Sequence, residues 1–406
     1  MKAEGSTVTS RLRISRGDLI FALVVVGGYC LAGLIAIVGR HLSQSDRMWD
    51  VAVRVVHGHL DVPSLAGTVD TATTADGRTF LAIGPLQILP YLPFALLGAL
   101  HQLAGHIIGI VMGIVAAWLT LPLVRRYGAA GALAYWVAGF AAFGTLLFYS
   151  AVFGDFYYLA HVESFLALEL FLIEWAGKRR PVWLGVCIGF SFLARPTTIL
   201  AIVPFGLYLL WQRRERWSGA FMAAVAVAVP ILAALAVYGW YNWARFGSPL
   251  EAGYGLTYLP QPGLEPRRAM GVFALAQIPE NLHLAFWALP ERLSHFPFFT
   301  VSPYGLSMLL VSPALFMAAW AGFRDRNAAL LWIAAALVAV PVFLYYGGGY
   351  IQYGFRYSLD FQPFLVALVA IGAARWKGWP QKALVACSIA SVAYGILWHS
   401  FSYLQK

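Results

Sequence analysis

The stretch LIFALVVVGGYCLAGLIAIVG (residues 19–39) is followed at once by RHLSQSDRMWD (residues 40–50). An apolar run of about twenty residues is long enough to cross a bilayer as a helix. It is also longer than the apolar core of a signal peptide, and no small-residue cleavage site follows it. We therefore expect an uncleaved transmembrane helix that brings two carboxylates, Asp46 and Asp50, to the membrane surface just beyond its end.

The composition of the whole chain extends this prediction to many helices. The 406 residues are 60% hydrophobic and 11% charged, with a mean hydropathy of +0.71, and no soluble core needs that much apolar surface. The net charge of +10 is explained by basic loops held on the cytoplasmic side, so nucleic acid is not an expected partner. The three cysteines lie inside apolar runs and lack the spacing of a metal site or a disulfide framework.

Basic clusters set the predicted topology. If all of them are cytoplasmic, two crossings must separate each neighbouring pair. This predicts an all-α polytopic protein of about 11 transmembrane helices in the plasma (inner) membrane, with a cytoplasmic amino terminus. The predicted spans are 19–38, 105–124, 130–149, 162–177, 181–194, 197–212, 219–241, 303–322, 328–346, 361–375 and 381–400.

Two apolar segments decide whether this scheme holds. Residues 181–211 are flanked by basic clusters on both sides, which favours a hairpin with Arg195 and Pro196 at its apex. Residues 80–101 contain three prolines, and we expect a juxtamembrane or re-entrant segment there rather than a crossing. The scheme then leaves four segments on the outer side: 39–104, 150–161, 242–302 and 347–360.

Charged residues of these outer segments supply the candidate chemistry. Asp46 and Asp50 are four residues apart and would share one face of a helix, where a carboxylate near the membrane could act as a general base. Ordinary solvation of loop charges is the alternative. Arg78, Arg195 and Arg356 are candidate contacts for a phosphate. For Arg356 the competing interpretation is an ion pair with Asp360, four residues later.

Further polar residues near the predicted outer interface are weaker candidates for substrate contacts. His161 and Glu163 have loose metal-ligand spacing without a zinc signature, so no cofactor is predicted and a divalent metal stays a minor alternative. The complete set of weaker candidates is Asp50, Asp155, His161, Glu163, Asn242, Arg245, Glu251, Tyr254 and Tyr357.

Six stretches taken in order resemble the GT-C superfamily of polyprenyl-phosphate-dependent membrane glycosyltransferases, near its protein O-mannosyltransferase and aminoarabinose transferase branches. They are SDRMWDVAVRVVHGHL (45–60), DGRTFLAIGPLQILPYLPF (76–94), GVCIGFSFLARPTTILAIVPF (185–205), NWARFGSPLEAGY (242–254), SPYGLSMLLVSPAL (302–315) and GFRYSLDFQPF (354–364). The resemblance implies one membrane domain, 1–406. It would comprise a seven-helix module (1–241) with juxtamembrane helices in outer loop 39–104, an acceptor-side outer loop (242–302) and variable carboxyl-terminal helices (303–406).

The resemblance also implies an activity. A sugar would pass, with inversion, from a polyprenyl-phosphate donor to a hydroxyl of a lipid, glycan or protein on the extracytoplasmic face. Asp46 would deprotonate that hydroxyl, and Arg78, Arg195 and Arg356 would stabilise the departing phosphate. The chain lacks the adjacent acidic pair in its first loop, the WWDYG-like motif of oligosaccharyltransferases and the long carboxyl-terminal soluble domain of many relatives.

Two other functions compete with this one. A lipid-linked sugar flippase or other transporter should show repeated halves and polar groups near the bilayer midplane, where only Glu169 is expected here. An accessory subunit without activity would tolerate Asp46→Asn.

Overall fold

The computed structural model describes residues 15–40, 47–259, 263–294, 299–376 and 378–401. Asp46, the predicted base, lies outside these described residues. The α-helices of the described part are α1 (Arg16–Arg40), α2 (Arg47–Val56), α3 (Leu92–Leu97), α4 (Ala104–Arg126), α5 (Ala132–Phe143), α6 (Leu146–Phe153), α7 (Phe156–Ala176), α8 (Pro181–Ala194), α9 (Ile202–Gln212), α10 (Trp217–Phe246), α11 (Leu264–Ala269), α12 (Ile278–Phe286), α13 (Met308–Val311), α14 (Arg326–Leu344), α15 (Gln362–Arg375) and α16 (Trp379–Phe401). Two short antiparallel pairs join β1 (Thr71–Thr73) to β2 (Thr79–Leu81) and β3 (Glu291–Arg292) to β4 (Phe299–Thr300).

Six helices of the described part are long and apolar enough to cross a membrane: α1, α4, α7, α10, α14 and α16. The pair α5 and α6, bent by 45°, adds a seventh if it is one span. Helices α8, α9 and α15 are apolar but shorter. The predicted helix over 303–322 is instead the single turn of α13 followed by a 3-10 helix, Pro313–Ala321, because Pro313 supplies no backbone donor to a continuing α-helix.

The expected hairpin is present. Arg195, between α8 and the 3-10 helix Pro196–Ala201, has an extended backbone (φ −140°, ψ 99°), as proline imposes on the residue before it. The Arg179 guanidinium, just before α8, donates a hydrogen bond to Oε1 of Gln212, the last residue of α9, at 3.4 Å. The far ends of the two arms therefore meet, and Arg195 lies at the turn between them.

The chain from α2 to α3 packs onto the helix bundle. The proline-rich stretch forms a 3-10 helix, Pro85–Tyr91, continued by α3, and together they are shorter than a helix that spans a bilayer. Buried side chains of α2 and of this stretch form one apolar cluster with the neighbouring ends of α4, α7 and α10: Met48, Val51, Ala52, Ile88, Tyr91, Ile108, Leu159 and Tyr241. This cluster fixes the β1–β2 hairpin against the bundle.

The close packing at the junction of α6 and α7 leads to a prediction about protein stability. Gly154 ends α6 with φ +56°, and a Cβ there would collide with the carbonyl group of Gly105 in α4. Gly154→Ala should therefore lower the free energy of unfolding by on the order of 2 kcal/mol, through backbone strain and overpacking. Thermal unfolding in detergent measures this. Gly139→Ala, in α5 where a Cβ would meet nothing within 4 Å, is the control, and equal melting temperatures for the two variants would contradict the expectation.

Candidate functional site

A cavity of about 300 Å³ opens at the end of the bundle where Arg195 lies. Its walls come from distant parts of the chain: the first loop, α7, the α8–α9 turn, the end of α10, and the chain around α14 and residues 356–357. The polar side chains that line it are Asp70, Gln87, Tyr157, His161, Arg195, Thr197, Tyr238, Tyr254, Tyr345, Arg356 and Tyr357. Two arginines, several phenols and one carboxylate thus face one small space.

Arg195 and Asp360 form a buried ion pair on one side of this cavity. The guanidinium approaches both carboxylate oxygens, with Nη2 to Oδ2 at 2.9 Å and Nε to Oδ1 at 3.2 Å. His161 Nδ1 lies 2.7 Å from Oδ1, and the Thr197 hydroxyl donates to Oδ2 at 3.3 Å. The Asp360 side chain is fully buried. Arg195 therefore lines the cavity, but its charge is already balanced by Asp360.

His161 completes this arrangement from α7. Because the carboxylate can only accept, His161 Nδ1 carries the proton of that hydrogen bond, and in the neutral imidazole Nε2 then carries the lone pair. Nε2 is buried and has no hydrogen-bond partner among the described residues. The imidazole thus offers a fixed acceptor in the cavity wall.

Arg356 lines the cavity without a carboxylate in ion-pair contact among the described residues, and Asp70, in the same cavity, is the carboxylate whose charge acts on it. Only 7% of it is exposed, and its guanidinium carbon lies 5.5, 5.7 and 5.1 Å from the ring centroids of Tyr157, Tyr158 and Tyr357. Nη1 donates to Gln352 Oε1 at 3.1 Å, while Nε has no partner in the described part of the chain. The expected alternative, an ion pair with Asp360, does not form, because that carboxylate is held by Arg195 and His161.

A buried guanidinium without a paired carboxylate is costly to keep. Cation–aromatic contacts from three phenols offset part of that cost, and an incoming anion would offset more. Arg356 therefore places positive charge and an unpartnered Nε–H donor in the cavity wall.

Asp70, the carboxylate of the cavity wall, had no distinguishing signal in the sequence. It is one of many acids of the outer segments, and no motif surrounds it. Burial raises the pKa of its carboxyl group, while a hydrogen bond from Tyr157 and the charges of Arg356 and Arg47 act in the opposite direction. It enters the site through the packing of the first loop, which a single sequence does not reveal.

The other predicted residues lie in different environments. Arg78 is half-exposed at the turn of the β1–β2 hairpin, where its Nε is paired with Asp76 at 2.7 Å, outside the cavity wall. Asp50 is half-buried on α2 and does not line the cavity. Asp155 caps α7 by accepting a hydrogen bond from the Phe156 amide at 3.0 Å. Glu163 is buried with both oxygens unpartnered in the described structure, and it lines a separate apolar groove.

Predicted residues in the last turns of α10 and just after it connect the loop that follows α10 to the β1–β2 hairpin. Arg245, buried between the rings of Tyr241 and Phe246, donates to the Leu81 carbonyl at 2.9 Å and to Asn242 Oδ1 at 3.0 Å. Glu251 accepts from the Gly253 amide at 2.6 Å. Arg245, Asn242 and Glu251 therefore stabilise the loop that follows α10. Tyr254 and Tyr357, by contrast, line the cavity.

No group of three or more His, Cys, Asp and Glu side chains in the described ranges is arranged to hold a metal ion.

The fold is similar to that of two solved structures. An oligosaccharyltransferase of Archaeoglobus fulgidus in the apo form matches 94% of this chain and 55% of its own, with a TM-score of 0.51 and 14% identity. ArnT from Cupriavidus metallidurans, bound to undecaprenyl phosphate, matches 89% of this chain and 61% of its own, with a TM-score of 0.50 and 13% identity. This chain thus spans little more than half the length of either protein. No family model matches it, and no curated protein matches its sequence.

Proposed function

We propose that this chain, a multi-pass membrane protein with the GT-C fold, transfers a sugar from a polyprenyl-phosphate donor to a hydroxyl acceptor. The observation that carries the proposal is Arg356, a buried guanidinium that lines the cavity and forms no direct ion pair with a carboxylate of the described residues. A similar fold in a protein bound to undecaprenyl phosphate supports the same class of ligand.

In this reaction the acceptor oxygen attacks the anomeric carbon as the bond to the donor phosphate breaks, so the configuration inverts. The developing charge on polyprenyl phosphate is stabilised by Arg356. Arg195 lies 5.3 Å from the ring of Tyr357, which Arg356 also contacts, and contributes a weaker positive field because it is paired with Asp360. The phosphate is a good leaving group once its charge is balanced, so the reaction needs a base on the acceptor side more than an acid on the donor side.

The resemblance assigns the base to Asp46, and this stays a prediction. Arg47, the next residue along the chain, donates to the Val69 carbonyl and lies 6.0 Å from the ring of Phe156, which lines the cavity. The start of α2 is thus a neighbour of the site. By the positive-inside rule we place the cavity on the extracytoplasmic face, with a lipid, glycan or protein as the acceptor.

A transfer assay tests the proposal. Purified protein in liposomes would be offered a panel of polyprenyl-phosphate hexoses and pentoses, with envelope extract as the acceptor source, while release of polyprenyl phosphate is followed. We expect release with one donor class. Absence of release with every donor, together with donor movement between leaflets, would contradict the enzyme and favour the transporter.

A further inference from the structure

Asp70 occupies a singular position in the cavity. Asp70 is the one acidic residue among the described residues that line the cavity, and it directly precedes β1. It shares the cavity with Arg356, the proposed phosphate ligand. A donor phosphate held at Arg356 would therefore lie in the same small space as this carboxylate.

The backbone at Asp70 is held in an unusual conformation. Its φ of +61° lies in the left-handed region, which residues with a Cβ rarely adopt. Hydrogen bonds on both sides maintain it: the Asp70 amide donates to the Tyr258 carbonyl at 3.1 Å, and the Asp70 carbonyl accepts from the Ala82 amide at 3.2 Å. Such strain persists where the surrounding structure imposes it, and it is concentrated at functional sites. Here it fixes the direction in which the side chain leaves the hairpin.

The polar groups around Asp70 favour its ionised form, the form that can accept a proton, whereas burial opposes ionisation. The facing groups are the hydroxyl of Tyr157 on α7, the guanidinium of Arg47 on α2, that of Arg356, and the phenol of Tyr346. Burial raises the pKa of the Asp70 carboxyl group above its usual range. A carboxylate with a raised pKa is a stronger base than a solvated one.

We propose that Asp70, rather than Asp46, is the general base of this site. The inference rests on the proposed function. The acceptor hydroxyl gives its proton to an Asp70 carboxylate oxygen while its own oxygen forms the bond to the anomeric carbon. The bond from that carbon to the phosphate oxygen breaks, and its electron pair leaves with polyprenyl phosphate, whose charge Arg356 balances.

Three single variants in the reconstituted transfer assay test the assignment. Asp70→Asn should lower kcat at least about 100-fold, the usual contribution of a general base, with little change in KM for the donor. Asp76→Asn is the matched control, because Asp76 lies on the same hairpin but is exposed at its turn and paired with Arg78. Asp46→Asn is assayed beside them, because a larger loss of kcat there than in Asp70→Asn would return the role of base to Asp46.

Chemical rescue separates a base from a structural residue. Azide needs no deprotonation, so azide should restore release of polyprenyl phosphate, with glycosyl azide as the product, in Asp70→Asn but not in a misfolded variant. In the wild type, kcat should fall as the pH drops through the raised pKa of Asp70, and this limb should vanish in Asp70→Asn assayed with azide.

The outcomes distinguish the two proposals. No release from any donor by the wild type would overturn the proposed function and this inference with it. Release by the wild type that survives in Asp70→Asn, or that is lost in Asp46→Asn and rescued there by azide, would overturn the assignment of Asp70 and leave the function standing.

Discussion

Arg356→Gln should lower release of polyprenyl phosphate at least about 100-fold, the loss expected when a charged donor to a developing anion is removed from a buried site. Glutamine keeps a polar side chain that can donate a hydrogen bond, but it brings no positive charge to the cavity. Initial rates in the reconstituted transfer assay measure the effect. Binding of radiolabelled polyprenyl phosphate should weaken in parallel, because the same group holds the product.

Arg78→Gln is the control for that experiment. Arg78 belongs to the same set of predicted phosphate contacts, but its guanidinium is half-exposed and paired with Asp76, so we expect a rate within about two-fold of the wild type, as for most exposed ion pairs. Equal losses in Arg78→Gln and Arg356→Gln would mean that the phosphate is bound elsewhere. An intermediate rate for Arg356→Lys would indicate that charge and two-pronged geometry both matter.

Asp360→Asn should destabilise the fold by about 3 to 5 kcal/mol, the cost of removing one partner of a buried ion pair. The amide cannot neutralise Arg195, and its NH₂ group would face a second donor, either Arg195 or Nδ1 of His161. Unfolding in detergent, followed by the exposure of buried cysteine Cys187 to a thiol reagent, measures the change.

The double variant Arg195→Met, Asp360→Leu shows whether the loss comes from an unpaired charge. Two apolar groups of similar size remove the charge together with its partner, so a large part of the lost stability should return, while activity should not. A single variant Asp360→Asn as stable as the wild type would contradict the account. Asp76→Asn, at an exposed pair, should leave the unfolding temperature unchanged.

The regular parts of this fold follow from local sequence. An apolar run between charged flanks predicts a helix wherever it occurs, and α4 and α10 lie where the runs 105–124 and 219–241 placed them, with ends extended by a few residues. The GT-C fold expected from the six stretches is confirmed, whereas the count of about eleven crossings stays a prediction. The start of α7 at Phe156 rather than 162 follows from the Asp155 cap, which an apolar pattern does not register.

The site was harder to predict from the sequence than the helices, because its side-chain contacts join residues that are far apart in the chain. Arg195, Arg356, His161, Tyr254 and Tyr357 were predicted to lie at the outer interface, and they line one cavity. The sequence could not show which arginine forms the ion pair with Asp360. Proximity along the chain favoured Arg356, whereas in the folded structure Arg195 is the partner. The sequence did not distinguish Asp70 from the other acidic loop residues, because its burial comes from contacts with α7 and with residues near 258 and 346.

The Arg195–Asp360 ion pair also has a consequence for synthesis of the chain, because Arg195 is made well before its partner. The two residues are 165 positions apart, so at about 5 to 20 residues per second roughly 10 to 30 s separate their emergence from the ribosome. During that interval the hairpin is already at the membrane with a cation whose counter-ion has not been made. Water, lipid phosphate or the insertion machinery must hold the arginine until then. A nascent chain that stops before residue 360 would therefore present a lasting signal to membrane quality control, independently of any activity.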